Sequence, residues 1–200
     1  MIYSKKWAFC HIPKNGGTNF KARTPKDMAV GYTQMPKNSR IAIQNRWWHQ
    51  PIQYEVEKRP ELKELQWVAI VRNPKDRLTS WYSHIVDKYI PDMRMPFEHF
   101  VIHNGLRGVR KLEQHQQELF EAEGGAWKLD DLQSKWVVDV PVKLKTYRLE
   151  DQLPELEEYV GFKFADTRHN YSSNSPYWTT EMEDICRERY KEDYERFGYA

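Results

Sequence analysis

The sequence predicts an α/β fold in which a central parallel sheet is flanked by helices. Two observations carry that prediction. Short apolar runs that read as strands alternate with stretches of helical periodicity along the chain, the pattern of a parallel sheet joined by crossover helices. Two of those runs, ending at Ile12 and Val71, pass directly into polar, cation-bearing loops that open helices, and in such sheets ligands gather beyond the carboxyl ends of the strands. No internal repeat, low-complexity tract or Gly/Ser linker divides the 200 residues, so residues 1–200 read as one domain with room for a core.

The elements follow in order. Lys6–Ile12 (K-W-A-F-C-H-I) is a short buried strand that ends in the Pro13–Thr18 loop; from Thr18 a helix begins, which Pro25 must interrupt. Arg40–Asn45 is a second strand, followed by W-W-H-Q-P, and Gln66–Val71 is the third and clearest. Asn73 then caps a helix with Pro74 at its first position, and Asp76 completes the spacing of a capping box. Leu78, Trp81, Tyr82, Ile85, Val86 and Tyr89 recur at helical spacing as the apolar face, with Asp76, Arg77, Ser80, Ser83, His84 and Asp87 on the other. Phe97–Glu123 reads as one or two helices with breaks near Gly105 and Gly108. Val140–Leu149 is a fourth strand, and Gly161 ends a helix over Leu153–Val160. A polar loop, T-R-H-N-Y-S-S-N-S-P, precedes a last helix from about Thr180 to Phe197.

Composition narrows the class. Hydrophobic content of 40% is globular despite a mean hydropathy of −0.88, and the 8 Trp suggest a core and clefts built on large rings. No apolar run nears the roughly 18–20 residues that cross a bilayer, and the N-terminus lacks the features of a signal peptide. With the loop so near Met1, the expectation is a soluble, cytoplasmic protein. Cys10 and Cys186 are expected as reduced, buried thiols. The net charge of +2 is too small for a general nucleic-acid binder, but residues 1–50 hold nine Lys/Arg against one acid, Asp27. That local excess suits an anionic ligand; a solvated basic face is the other reading.

The loop H-I-P-K-N-G-G-T-N-F looks built for phosphate, yet its lysine precedes the glycines, unlike the nucleoside-triphosphate loop G-x-x-x-x-G-K-[ST]. Gly16 and Gly17 let an anion approach the main chain, and their N–H groups, with those of Thr18 and Asn19, would point at a phosphate. Lys14 adds a mobile charge and Thr18 a hydroxyl. Alone, G-G-T reads first as an ordinary strand-to-helix turn. Arg72 ends a strand and Ser80 lies about two turns into the next helix, offering a planar fork and a hydroxyl to phosphate oxygens. Each by itself reads as readily as an ion-paired arginine and an exposed serine. Together, the two strand ends suggest a ligand with two separated phosphate groups.

H-I-P-K-N-G-G-T-N-F followed by V-R-N-P-K-D-R-L-T-S-W-Y closely resembles the paired signatures of the sulfotransferases, in particular the carbohydrate (Golgi-type, heparan-sulfate-like) branch. The C-terminal R-H-N-Y-S-S-N-S-P-Y-W and Y-K-E-D-Y-E-R-F-G-Y are also similar to that family's ending, so the resemblance spans nearly the whole chain in order. Two departures are the early Pro25 and the unmatched segment 90–140. The resemblance implies a three-layer, P-loop-like fold and transfer of a sulfuryl group from 3′-phosphoadenylyl sulfate (PAPS) to a hydroxyl of a carbohydrate, by in-line displacement. Adenosine 3′,5′-bisphosphate (PAP) would be the product, without a metal. It places Lys14, Asn15, Gly16, Gly17, Thr18 and Asn19 on the 5′-phosphosulfate, with Lys14 also catalytic at the bridging oxygen. Arg72 and Ser80 fall on the 3′-phosphate, and Asn170, Ser172 and Ser173 near the nucleotide end.

The acceptor hydroxyl needs a base, and a histidine near its ordinary pKa suits that work. Of the seven His, His49 is the candidate, since similar carbohydrate sulfotransferases carry a histidine before the third strand; Trp47 and Trp48 beside it could stack on sugar rings. A loop histidine packed on tryptophan is the other reading. His11 is expected to be structural, and Glu55 is the rival carboxylate base. His99 and His103 have metal-binding spacing but no third ligand. Arg107, Arg110 and Lys111 suit either an acidic glycan or a solvated helix face. Two other functions compete. A nucleotide-dependent phosphotransferase would want its lysine after the glycines and acidic Mg²⁺ ligands. A nucleic-acid-binding module would use the basic N-terminal third with its aromatic rings, against a balanced total charge.

Overall fold

The computed structural model describes residues 2–28, 31–32, 51–88, 96–103, 132–137, 139–164 and 176–200. Five described strands form one sheet: β1 (Ile2–Tyr3), β2 (Trp7–Cys10), β3 (Gly31–Tyr32), β4 (Gln66–Val71) and β5 (Lys143–Arg148), in the order β3-β1-β2-β4-β5. β2, β4 and β5 run parallel, in a register that sets Cys10 opposite Ala69 and Val71 opposite Arg148. β1 runs antiparallel to both β2 and β3. The sheet is therefore mixed, not wholly parallel as expected. The cause is a tight reversal at Ser4, whose Oγ accepts from the N–H groups of Lys6 and Trp7, each at 3.0 Å. A two-residue strand is too short to show a period, so β1 is illegible in the sequence.

β4 is an inner strand, paired on both sides, and Trp67–Val71 are all buried. Successive side chains go to opposite faces, and each face meets helices. Ala8, Cys10, Trp67, Ala69 and Val71 pack with Ile52 and Val56 of α2 (Ile52–Lys58) and with Phe197 of α7 (Lys191–Phe197). Trp7, Phe9, Val68, Ile70 and Tyr147 pack with Phe20 of α1 (Gly17–Arg23) and with Leu156 and Val160 of α5 (Leu153–Val160). A third cluster joins α3 (Pro74–Lys88), α4 (Phe97–Ile102) and α6 (Thr180–Arg189) through Leu78, Trp81, Phe100, Met182, Cys186 and Tyr190.

Local signals account for most boundaries. α5 ends at Gly161, which takes the left-handed conformation at φ 83°. Asn73 Oδ1 accepts from Lys75 N at 3.0 Å, as a cap does, but Asp76 does not close the box: the Asn73 N–H goes to Glu150 Oε1 at 2.8 Å. The last helix is two, broken at Tyr190, whose φ is −108° and ψ 21°. The break lets Tyr190 anchor in the α3–α4–α6 cluster while Phe197 turns to the sheet. Arg77, expected on the polar face of α3, is 3% exposed. The Arg40–Asn45 strand and the Gly105 and Gly108 breaks lie outside the described residues. Cys10 and Cys186 are buried thiols that form no disulfide, and burial pushes them up to about 12 and about 11. Among the described residues no helix is long and apolar enough to cross a membrane.

Phe20 fixes the short α1 to the sheet. It is fully buried, stacked on Phe9 at 3.9 Å between ring centroids and edge-on to Trp7, Phe162 and Phe164. Phe20→Ala should lower the unfolding free energy by about 3–5 kcal/mol in urea denaturation. A loss under about 1 kcal/mol would mean that this aromatic cluster closes over the gap.

Candidate functional site

Beyond Cys10 the chain leaves the sheet, and the next residues are held from three sides. Arg77 Nε donates to Pro13 O at 3.2 Å and Arg72 Nη1 to Lys14 O at 3.2 Å. Asn15, 1% exposed, turns its amide inward: Nδ2 donates to Ile70 O at 2.8 Å and to Gln133 Oε1 at 2.6 Å. Lys14 itself has φ 69°, the left-handed region that a lysine seldom takes, so these contacts hold a strained turn. Gly16 follows at φ 78° and opens α1. A Cβ on Gly17 would lie 2.0 Å from His11 Cδ2. The absence of a side chain at Gly17 thus leaves room for the His11 ring.

Arg72 stands at the junction of both motifs. It is half-buried at the end of β4, with its guanidinium on the Lys14 carbonyl. Ser80 lies on α3 one turn after Arg77, an adjacent position on the helix surface, and is half-buried. Three cations, Lys14, Arg72 and Arg77, are therefore gathered where two parallel strands end. Such a cluster suits a polyanion, and the left-handed turn at Lys14 is held by the contacts of Pro13, Lys14 and Asn15. A sulfotransferase family model matches residues 3–125 of the chain, which is more than half of it.

The chain belongs to the sulfotransferase family.

No curated protein and no solved structure matches it. The matched span carries both motifs of this sulfotransferase but ends before Gln133, which proves central to how they are joined. Gln133 is fully buried. Its Oε1 accepts from Arg72 N at 2.9 Å as well as from Asn15, and its Nε2 donates to Arg72 O at 2.7 Å. Asp193 of α7, also fully buried, accepts from the backbone N–H groups of Gln133 at 2.7 Å and Ser134 at 2.8 Å. Burial pushes the Asp193 carboxyl above the usual carboxylate range, while those N–H donors and the charge of Arg77 pull it back.

The remaining expected positions divide. Thr18 is exposed and Asn19 half-buried at the start of α1, but the Asn19 N–H is already donated to Gly16 O at 3.0 Å. Glu55, the rival base, is 2% exposed with Oε2 on Arg59 Nη2 at 2.5 Å, a structural ion pair under the sheet. The rings of His99 and His103 lie 4.2 Å apart between centroids, tilted by 45°; among the described residues no group of three or more His, Cys, Asp or Glu could hold a metal. His49, Trp47, Trp48, Arg107, Arg110, Lys111, Asn170, Ser172 and Ser173 lie outside the described residues.

The motifs do not mark Arg77, Gln133 or Asp193 as parts of the site. For Asp193 a signal exists: Tyr190, Asp193 and Phe197 share helical spacing, so an acid sits within an apolar stripe. Gln133 sits in D-L-Q-S-K-W, where nothing separates it from surface polar residues.

Asp193 yields a pH prediction of unusual sign. Its folded pKa is raised above the unfolded value of about 3.9, so its contribution is fully present below that value and is lost as pH rises through the folded pKa. Asp193→Asn removes the titration and leaves one of two backbone N–H groups facing an amide, which should cost about 1–3 kcal/mol at neutral pH. Urea denaturation at several pH values should show the stability gap between parent and variant widening as pH falls toward about 4. A gap that narrows instead would mean that Asp193 is held ionised in the fold.

Proposed function

We propose that this sulfotransferase uses PAPS as donor, binding the 5′-phosphosulfate at Pro13–Asn19 and the 3′-phosphate at Arg72 and Ser80, and sulfates a carbohydrate hydroxyl. The carrying observation is the hydrogen bond from Arg72 to the Lys14 carbonyl, which sets the two motifs side by side at 3.2 Å. A donor with phosphates at both ends of one nucleoside would bridge such a pair, and the half-buried Lys14 and Arg72 supply a charge for each. The three-layer, P-loop-like form expected from the motifs belongs to the same reading. Helices on both faces of the sheet support it.

Lys14 would hold the bridging oxygen and neutralise charge there as the sulfur–oxygen bond breaks, electrostatic work of a kind that supplies on the order of 10²–10³ in rate. His49 would take the acceptor proton as the acceptor oxygen bonds to sulfur. The Asn19 side-chain amide and the Thr18 hydroxyl would offer further donors at the start of α1. Asn15 acts through the loop's shape, since its amide is spent on Ile70 and Gln133. Asn170, Ser172 and Ser173 would close over the nucleotide.

Transfer of labelled sulfate from PAPS to a panel of glycans and small alcohols tests the reading directly; no transfer to any hydroxyl would sink it. Arg72→Ala should weaken PAP binding by about 1.5–3 kcal/mol, and weaken adenosine 5′-phosphate by less, in calorimetric titration. Equal losses for both nucleotides would detach Arg72 from the 3′-phosphate. His49→Ala should leave PAP affinity nearly unchanged while turnover falls by about two orders of magnitude. It should also abolish the acidic limb of the rate profile near the unperturbed imidazole pKa of about 6.5. An active variant with that limb intact would assign the base elsewhere.

A further inference from the structure

Parallel strands that separate to make a ligand cleft expose backbone groups that once faced each other. β2 and β4 pair as far as Cys10 and Ala69, after which β2 turns away into the Pro13 loop. On β4 the hydrogen-bonding groups of successive residues alternate between the two edges of the strand. Val71 O is taken on the β5 side, by Leu149 N at 2.8 Å. Ile70 O, Arg72 N and Arg72 O therefore face the widening gap toward β2. All three are satisfied by two side-chain amides. Asn15 takes Ile70 O, and Gln133 takes both groups of Arg72 as a strand residue would. The two amides also bond to one another at 2.6 Å, which closes a bridge from the lysine loop to the arginine strand end. Asp193 fixes the peptide that carries Gln133.

From this geometry we infer that Gln133 is a positioning residue for the donor. Its amide sets the spacing between the Lys14 turn and the Arg72 strand end, and thereby matches the two anion-binding points to the two phosphates of one ligand. The inference rests on the donor reading above and assigns a role within the stretch 90–140, which the motifs leave blank. Gln133 itself touches no ligand. It acts by making two weak sites bind as one, so its loss should be felt by a ligand that spans both sites and hardly by a ligand that fills one.

The test is calorimetric titration of the folded full chain with adenosine 3′,5′-bisphosphate, adenosine 5′-phosphate and adenosine 3′-phosphate at one salt concentration. In Gln133→Ala the bisphosphate should bind about 10-fold or more weakly, while each monophosphate changes by less than about 3-fold. A parallel weakening of all three ligands, or no weakening, overturns the inference, because a merely structural residue gives one of those results. A parent that binds bisphosphate no better than the monophosphates overturns the donor reading and this inference with it. Tight parent binding with a parallel loss in the variant overturns the inference alone. If Gln133→Ala does not fold by circular dichroism, Asp193→Asn takes its place in the same three-ligand comparison, since it weakens the hold of Asp193 on the Gln133 peptide and on Gln133 Nε2, 3.3 Å away, but keeps the Gln133 side chain. A selective loss of bisphosphate binding then supports the inference, and a parallel loss or none overturns it.

Discussion

Where β2 departs from β4, the backbone of β4 has to find other partners or leave the sheet. The amide of Gln133 supplies them, and most of the described site follows from that one substitution of side chain for strand. It fixes Arg72 at both its N–H and its carbonyl, so the guanidinium starts from a set position. Through Asn15 it draws the lysine loop against Ile70. Buried amides left unpaired would be expensive, on the order of 1–3 kcal/mol each, so the arrangement is close to all-or-none. Where the two strands part, the network pairs the freed backbone groups of Ile70 and Arg72, although Asn15 Oδ1 itself is buried without a partner.

The apolar packing serves the same end. α7 sends Phe197 into the core beneath the sheet and Asp193, one turn earlier on the same buried face, to the peptide of Gln133, so hydrophobic burial of that face also positions the acid. The break at Tyr190 makes this possible, since a straight continuation of α6 would not serve both clusters. Lys75 of α3 pairs with Glu183 of α6, and Trp178 Nε1 donates to Thr79 Oγ1 at 3.1 Å, which tie the helix bearing Arg77 and Ser80 to the C-terminal segment. The C-terminal helices are therefore part of the scaffold for motifs near the start of the chain.

The sequence makes legible whatever carries a period or a punctuation mark. β4 and α5 have the residues expected of them, because a six-residue apolar run and a Gly-terminated helical stripe are strong local signals. The two site loops are legible for the same reason, with Gly, Pro and Asn at fixed offsets. β1 is too short to show alternation, and α2 too short to show a stripe. Periodicity marks Arg77 as polar and exposed, whereas its burial is decided by Pro13, 64 residues away. Gln133 cannot be singled out at all: its importance lies wholly in contacts that only the fold creates.

Those contacts also have a consequence for how the chain reaches its native state. Asn15 and Gln133 are 118 residues apart, and Gln133 and Asp193 60 apart. Closing loops of that length costs entropy before any hydrogen bond is gained, so such pairings lag behind the local helices. A nascent chain that has made β2, β4 and both motifs still lacks the residues that lock them. On the proposed donor reading, affinity for anions would mature only once the last helix has docked, and ligand binding would report completed folding rather than the motifs alone.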